Sequence, residues 1–381
     1  MAASPLDVQL VDPSAFTPPY DRALAAALAR AGVRVRLVTS RFAYGEVSRA
    51  EGYAVEERFY RWTPGAPGST MRRAAKLAQH VPDMLRWQAS RAARSADVVH
   101  LQWLTVQPLD VRLPPIALGG RGPFRRPPLA LTAHDVLPRE PRPGQLEAQR
   151  RLYERVDAVV VHSEHGAARL RDELGIDASR VHVIPHGAFA HLAELHDPAP
   201  LPPELAAVEA PVVLCFGLMR PYKGIDVLLE AWRGIGHAEL WVVGLPKMDI
   251  APLRAAAPPN VRFVPRFVVD GEIPAFFRRA DLVVLPYREI DQSGVLFTAL
   301  AFGRPLLLSA VGGFPEVAAS GAAELVPPGD PAALHTALAR LLADPAARER
   351  LAVAAAAAAA GPYSWDAIAA RHVALYEALR R

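Results

Sequence analysis

One cysteine occurs in 381 residues. That excludes an internal disulfide and a zinc site built on paired cysteines, and it suits a reducing compartment. The residue, Cys215, lies inside the apolar run VVLCFG and is expected to be a small buried core residue rather than a nucleophile. The chain also lacks the G-x-G-x-x-G dinucleotide fingerprint and the G-x-x-x-x-G-K-[ST] phosphate loop, which disfavours dehydrogenases and NTPases of those types. Gly119-Gly120-Arg121-Gly122 is not followed by Lys-Ser/Thr and reads as a loop. No H-E-x-x-H pair is present. No apolar run is long enough to span a bilayer: the least charged window, Val295–Phe314, is interrupted by Gly303, Arg304 and Pro305. The N-terminal MAASPLDVQLVDP carries acids where a secretion signal carries bases. A cytoplasmic location is the expectation.

What is there belongs to a folded protein. Hydrophobic residues make up 51% and charged residues 22%, proportions of a globular chain rather than a disordered one. The length suggests two or three domains. The net charge of +4 is unevenly placed, with 15 Lys and Arg against 9 Asp and Glu between positions 51 and 150. Much of the excess lies in Met71–Arg94 and in the Arg/Pro loop Arg121–Arg126. Three readings of 71–126 are open: a solvated basic face, a surface that rests on anionic lipid at the inner face of the plasma membrane, or a hold for an anionic acceptor. The solvated face is the commonest of these. Nucleic acid is not expected, because the stretch lacks interleaved aromatics and any recognised binding signature.

Along the chain, strand and helix patterns alternate almost throughout, which predicts parallel sheets covered by helices on both faces. LDVQLVDP, VRVRLVTS, DVVHLQWL, PLALTAHDV, DAVVVHS and VHVIPHG read as strands of a first domain. A weaker strand is expected near Glu56–Trp62, and a long helical region over Ser69–Ala96 with a kink at Pro82. From Ala188 to Ala210 the pattern lapses, with Pro198, Pro200, Pro202 and Pro203. The division is therefore expected as a first domain over 1–195, a linker over 196–210 and a second domain over 211–362. PVVLCFG, AELWVVG, VRFVPRFV, DLVVLPY, RPLLLSA and AAELVPP read as the second set of strands. A closing helix over 363–381 carries Trp365, Ile368, His372, Leu375, Tyr376 and Leu379 on one stripe and must dock on something.

Three constellations could carry chemistry. In Tyr287–Val317, a buried strand is followed by a polar loop and by Ser293-Gly294 opening an apolar helix. That order aims backbone N–H groups and the positive end of a helix beyond the strand's carboxyl edge, where a phosphate fits. An ordinary crossover would look similar. In Phe216–Gly224, Arg220 and Lys223 stand at the end of another strand. An arginine fork with a lysine point charge, facing a helix start, makes a pyrophosphate site, although two solvated cations in a loop are the plain alternative. The third set is His100, His134, His162 and His186, each near a strand end. Imidazoles along one sheet edge could ligate a metal or serve as ordinary hydrogen bonders. His134-Asp135 is the most suggestive pair, and it too has a bland reading as a capping turn.

FGLMRPYKGIDVLLEAW and LPYREIDQSGVLFTALAFGRPLLLSAVGGFPEV resemble the donor-binding half of family 4 glycosyltransferases of the GT-B fold. TAHDVLPRE, DAVVVHSEHGAARL and VHVIPHG are similar to the matching segments of that family's first domain, and YSWDAIAARHVALYEAL to its closing helix. The resemblance implies an α/β fold of two facing Rossmann-like domains with a cleft between them. The closing helix would cross back to the first domain. It implies a metal-independent hexosyltransferase that moves a sugar from a nucleotide-sugar donor to an acceptor of unspecified kind, with retention of configuration. Inverting transfer, sugar-nucleotide epimerisation and a non-catalytic nucleotide-sugar-binding protein are the alternatives.

By motif position, Arg220 and Lys223 would neutralise the leaving diphosphate, and the backbone at Ser293, Gly294 and Val295 would hold phosphate. Gly217 and Glu316 would line the donor site. His134 would approach the reacting centre, with Thr17, Tyr20 and Asp135 on the acceptor side. The chain departs from the family twice. Of two glutamates usual in the pattern, the second position holds Thr298 and the first Ile290, flanked by Glu289 and Asp291; one of these is expected to supply the missing carboxylate. A Thr298 hydroxyl could still contact ribose. The loop Phe16–Asp21 lacks the glycine pair often found there.

Overall fold

Runs such as VVLCF, AVVV and LVVL are apolar at successive positions, not at alternate ones, which is the pattern of strands covered on both faces. The computed structural model describes residues 5–43, 45, 47–66, 68–113, 127–138 and 143–381. The Gly119–Gly122 run and the basic loop Arg121–Arg126 lie outside the described residues. Contacts divide the chain into two units, Met1–Pro185 with Trp365–Arg381, and His186–Ser364.

The first unit is built on strands β1 Asp7–Asp12, β2 Arg34–Ser40, β3 Ala54–Phe59, β4 Val98–Leu101, β5 Leu129–Thr132, β6 Ala158–Val161 and β7 Val181–Val183. Among the described residues they form one parallel sheet in the order β3-β2-β1-β4-β5-β6-β7. The helix Thr70–Ala89 is unbroken across Pro82, where a kink is expected, and the interruption of the helical region falls at Ser90. Ser90 takes an extended backbone, and its hydroxyl accepts from the Ala93 N–H at 3.2 Å, so it ends one helix and caps Arg91–Ser95.

The closing helix, Trp365–Arg380, belongs to this unit. Its buried stripe of Trp365, Ile368, His372, Leu375 and Tyr376 is the one the periodicity marks. Tyr376 Oη lies 2.6 Å from His100 Nδ1, and the Trp365 ring meets Tyr20 edge-on at 5.1 Å. On the rim, Arg30 holds the Asp366 carboxylate through Nε and Nη2 at 3.1 and 2.6 Å.

The second unit holds β8 Val212–Phe216, β9 Glu239–Val243, β10 Val261–Val264, β11 Leu282–Leu285, β12 Leu306–Ser309 and β13 Ala323–Val326. Their order is β10-β9-β8-β11-β12-β13, again parallel. The expected linker over 196–210 is part of this unit, and the division comes ten residues earlier than the expected boundary at 195. Proline content signals irregular backbone there, but the backbone is tied down. The Ala199 N–H donates to Gly271 O at 2.8 Å, Arg278 Nη2 donates to Ala193 O, and Arg279 Nη2 donates to Val208 O and Ala210 O. Leu205 is buried in the same core.

Both sheets reverse direction of winding at an inner strand pair: β1 and β4 in the first unit, β8 and β11 in the second. Ligands of such sheets lie beyond the carboxyl ends at that switch point. The loops that follow β8 and β11 are Gly217–Lys223 and Tyr287–Gly294. The two cations and the helix start therefore arrive at one place because of strand order.

Candidate anion site in the second unit

The loop after β8 is pinned along its neighbour. The Gly217 N–H donates to Val243 O at 2.9 Å, the Met219 N–H to Leu245 O and the Lys247 N–H to Met219 O, both at 3.0 Å. Gly217 has φ +109°, and a β-carbon there would come within 3.0 Å of Val295 Cγ2. That close approach brings the end of β8 against the first turn of the helix Gly294–Ala301. One turn on, Gly224 has φ +65°, and a β-carbon would fall 2.0 Å from Pro286 O. Only glycine allows the chain past the end of β11 at that spot.

The loop after β11 is clamped to the same turn. The Arg288 N–H donates to Tyr222 O at 2.8 Å, and its guanidinium holds Asp226 through both oxygens at 2.8 and 2.6 Å. The hydrogen bonds from Arg288 hold the Asp226 carboxyl below its ordinary range. Arg288 is thus committed to structure. Further along, the Gly313 N–H donates to Asp291 O at 3.1 Å, which joins the Val311–Glu316 turn to the loop.

Lys223 is the central cation. It is 8% exposed, and its Nζ sits over the hydroxyl edge of Tyr287, 2.5 Å from Oη and 3.8 Å from the ring centroid. Tyr287 Oη lies 3.4 Å from Ser293 Oγ, so lysine, tyrosine and the residue before the helix form one line. Burying an ammonium among aromatic rings costs solvation that ring electrons repay in part; an anion would repay the rest. Arg220 is half-buried, and its guanidinium has no hydrogen-bond or ion-pair partner among the described residues. Ser293 does not cap the helix with its side chain, and the Gly294 and Val295 N–H groups have no acceptor there. Lys223 is tied to the helix start through Tyr287 and Ser293, and Arg220 stands three residues before it in the same loop, an arrangement that suits a diphosphate.

The remaining donor-side residues divide by exposure. Asp291 is 6% exposed, while Glu289 is on the surface, as is Glu316 on the short helix Phe314–Ala318. Ile290, at the family's first carboxylate position, is buried in the core. Thr298 is buried, and its hydroxyl donates to Gly294 O at 3.0 Å, one turn back. That uses its proton and leaves its lone pairs as acceptors.

Sequence reasoning missed Tyr287 as the seat of Lys223. The tyrosine closes the apolar strand DLVVLPY, but nothing local ties it to a lysine 64 positions away. Sequence reasoning also grouped His186 with the first unit's histidines. His186 belongs to the second unit, stacked on Phe297 of the helix Gly294–Ala301 with ring centroids 4.6 Å apart and planes 13° apart. Its Nδ1 donates to Gly187 O at 2.7 Å.

In the first unit, the loop after β1 is organised by two carboxylates that the sequence reading passed over as ligands of the backbone. Asp12 accepts from the Ser14, Phe16 and Thr17 N–H groups, with Phe16 at 2.5 Å. Asp21, also fully buried, is hydrogen-bonded to Asp12; burial and the Asp12 charge push its carboxyl well up. Ala15 takes φ +51° in this loop, near the place where the family often has glycine. Thr17 Oγ1 accepts from Trp103 Nε1–H at 2.9 Å across the β1–β4 switch point.

His134 lies between Trp103, stacked at 5.0 Å, and Tyr20, edge-on at 4.7 Å; Asp135 is exposed. His162 donates Nδ1–H to Ile184 O at 3.0 Å and is held neutral by burial, its pKa pushed down to about 4. Its Nε2 therefore accepts from His134 Nδ1–H at 3.2 Å. His134 Nε2 and the Gln102 side-chain amide are in hydrogen-bond contact at 3.3 Å. His100 is buried away from this pair, bonded to Thr132 and Tyr376. Among the described residues no three His, Cys, Asp or Glu side chains converge as metal ligands.

Comparison with known proteins adds relatives. Residues 210–344 match the family model described as glycosyl transferases group 1, and residues 19–187 match that of a glycosyl transferase 4-like domain. The chain is 26% identical to a D-inositol 3-phosphate glycosyltransferase of Kineococcus radiotolerans, over 93% of this chain and 88% of that protein. It is 36% identical over a shorter span to a phosphatidyl-myo-inositol mannosyltransferase of Mycobacterium leprae, covering 41% and 43% of the two chains. Among solved structures, sucrose-phosphate synthase from Thermosynechococcus elongatus superposes with a TM-score of 0.77 at 22% identity, covering 98% and 99%. HepE from Anabaena, in complex with UDP, gives 0.71 at 17%, covering 98% and 100%. At such identities the structures speak to the fold.

Proposed function

Since the chain belongs to the group 1 glycosyl transferases, with a glycosyl transferase 4-like domain preceding, we propose that it moves a sugar from a nucleotide-sugar donor to an acceptor with retention of configuration. Its two parallel-sheet Rossmann-like units are those of the GT-B fold. The observation that carries the reading is the convergence of Lys223, Arg220 and the open helix start at the β8–β11 switch point. Breaking a glycosyl–phosphate bond leaves negative charge on the departing diphosphate, and fixed cations and N–H donors stabilise charge that develops there.

In this reading the protein's own cations do the work a metal would otherwise do. Lys223 and Arg220 take the diphosphate oxygens, and Gly294 and Val295 donate N–H groups. Asp291 is the better supported of the two carboxylates flanking Ile290, being buried where Glu289 is exposed. Thr298 accepts from a ribose hydroxyl, its own proton being held by Gly294 O. His134 keeps the reacting-centre role given by the resemblance, and Thr17, Tyr20 and Asp135 the acceptor-side role.

The test is the rate of nucleoside diphosphate release over a panel of UDP-, GDP-, ADP- and dTDP-sugars, followed by NMR of the glycoside formed. The reading predicts turnover with at least one donor and a product of the donor's anomeric configuration. An inverted product would refute retention. Donor binding without any turnover would identify a nucleotide-sugar-binding protein instead.

A further inference from the structure

The basic excess of the first half of the chain is gathered at one place. Arg41 follows the end of β2, Arg61 follows the end of β3, and Arg72 and Lys76 come from the helix Thr70–Ala89. All four line a cleft of about 380 Å³ at the carboxyl edge of the first unit's sheet. None of them pairs with a carboxylate among the described residues. Arg72 gives one N–H to Thr63 O at 2.9 Å, and Lys76 Nζ stands 5.0 Å from the centre of the Tyr60 ring. Glu57, the one acid on the wall among the described residues, is exposed and has no ion pair among them.

Arg41 and Arg61 are exposed and Arg72 and Lys76 half-buried, with all four on the wall of the one cleft. Here four like charges are drawn together and left uncompensated. Lys76 registers the strain: burial and the neighbouring Arg72 hold its ammonium below the ordinary lysine range. The chain has three lysines, and two of them, Lys76 and Lys223, stand in these two basic clusters.

The floor of the cleft is rigidly made. Tyr60 takes φ +54°, an uncommon conformation for a bulky residue and one that clusters at ligand sites. Its N–H is held by Asp83 Oδ2 at 2.8 Å. Its hydroxyl donates to His80 Nδ1 at 2.7 Å, and His80 Nε2–H donates to Asp110 Oδ1 at 2.7 Å, all of it buried. Asp110 accepts in turn from the Val106 N–H at 2.9 Å. This chain fixes the ring that Lys76 stands over.

We propose that the cleft of Arg41, Arg61, Arg72 and Lys76 binds a phosphate monoester carried by the sugar acceptor. The proposal rests on the glycosyltransferase reading above and names the acceptor's chemical class. Three guanidinium forks suit the several oxygens of a phosphate, and a dianion offsets more of the charge than one carboxylate would. The phosphate belongs either to a soluble phosphorylated polyol or to a lipid headgroup.

The experiment is calorimetric titration of the full chain with inorganic phosphate, glucose 6-phosphate and glucose, beside co-sedimentation with vesicles of phosphatidylcholine carrying phosphatidylinositol 4-phosphate or, as the diester control, phosphatidylinositol. Arg41→Ala and Lys76→Met are the variants, with circular dichroism as the check on folding and UDP and GDP titration as the check on the second unit. Binding of phosphate and glucose 6-phosphate but not glucose, weakened about tenfold or more in each folded variant with nucleotide affinity unchanged, supports the proposal. Phosphate-sensitive sedimentation with phosphatidylinositol 4-phosphate but not phosphatidylinositol, abolished by the variants, supports it with the lipid as source. Phosphate binding that neither variant changes, or no binding of either kind, overturns it. Loss of nucleotide binding alone would overturn the donor reading and leave this one standing.

Discussion

Two buried carboxyls under the loop after β1 show how residue-scale electrostatics become a pH dependence. Asp12 spends both oxygens on backbone N–H groups, and Asp21 shares a hydrogen bond with it, so the pair is stable with one proton between them. The folded Asp21 carboxyl titrates well above the ordinary value of 3.8. Between those two pH values the folded chain keeps a proton that the unfolded chain has released, so stability falls as pH rises through that window. Asp21→Asn keeps a neutral donor at the position at every pH. Its melting temperature is expected to drop less than the parent's between pH 5 and pH 8; melting curves that run parallel over that range would show that the pair does not share a proton. Cys215 lies at the opposite extreme of use, its thiol pushed up to about 12 by burial in an apolar core, which leaves it inert.

At the scale of elements, the approach of one turn to one strand end decides where Lys223 stands. Gly224→Ala places a β-carbon 2.0 Å from Pro286 O in a left-handed backbone, so it is expected to cost about 2–4 kcal/mol in urea denaturation. Gly234→Ala also has a left-handed backbone, φ +85°, but meets nothing within 4 Å, and its cost is expected to stay near 1 kcal/mol. Equal losses would mean that backbone conformation alone matters at Gly224, with no role for the close approach.

These elements were largely legible in the sequence, because strands buried on both faces leave unmistakable apolar runs and glycines mark their ends. Illegible features were those set by partners distant in sequence. Pro82 pointed to a kink in one long helical region, yet the helix is unbroken across it and ends at Ser90, whose hydroxyl caps the next helix. The prolines after His196 looked like a linker, yet Arg278 and Arg279 tie that backbone to the second core. Of the site, the cations and the helix start could be read from motif and strand order. The Tyr287 seat of Lys223 and the Tyr60–His80–Asp110 floor could not, since each joins residues at least 20 positions apart.

For the whole molecule, two similar sheets carry two different clusters of positive charge at their carboxyl edges, and no helix of the described residues is long and apolar enough to cross a membrane. The central claim is that the cluster of the second unit binds the diphosphate of a sugar donor. Calorimetric titration with UDP, GDP, ADP and dTDP tests it most directly, on the parent chain and on Lys223→Met and Arg220→Ala. Thr298→Val, titrated also with inorganic pyrophosphate, separates the ribose contact from the phosphate contacts. The account predicts that at least one nucleotide binds and that each cation variant weakens it about ten- to a hundredfold. Thr298→Val should weaken the nucleotide several-fold and leave pyrophosphate unchanged. Full nucleotide affinity in Lys223→Met, or no nucleotide bound by the folded parent, would contradict it.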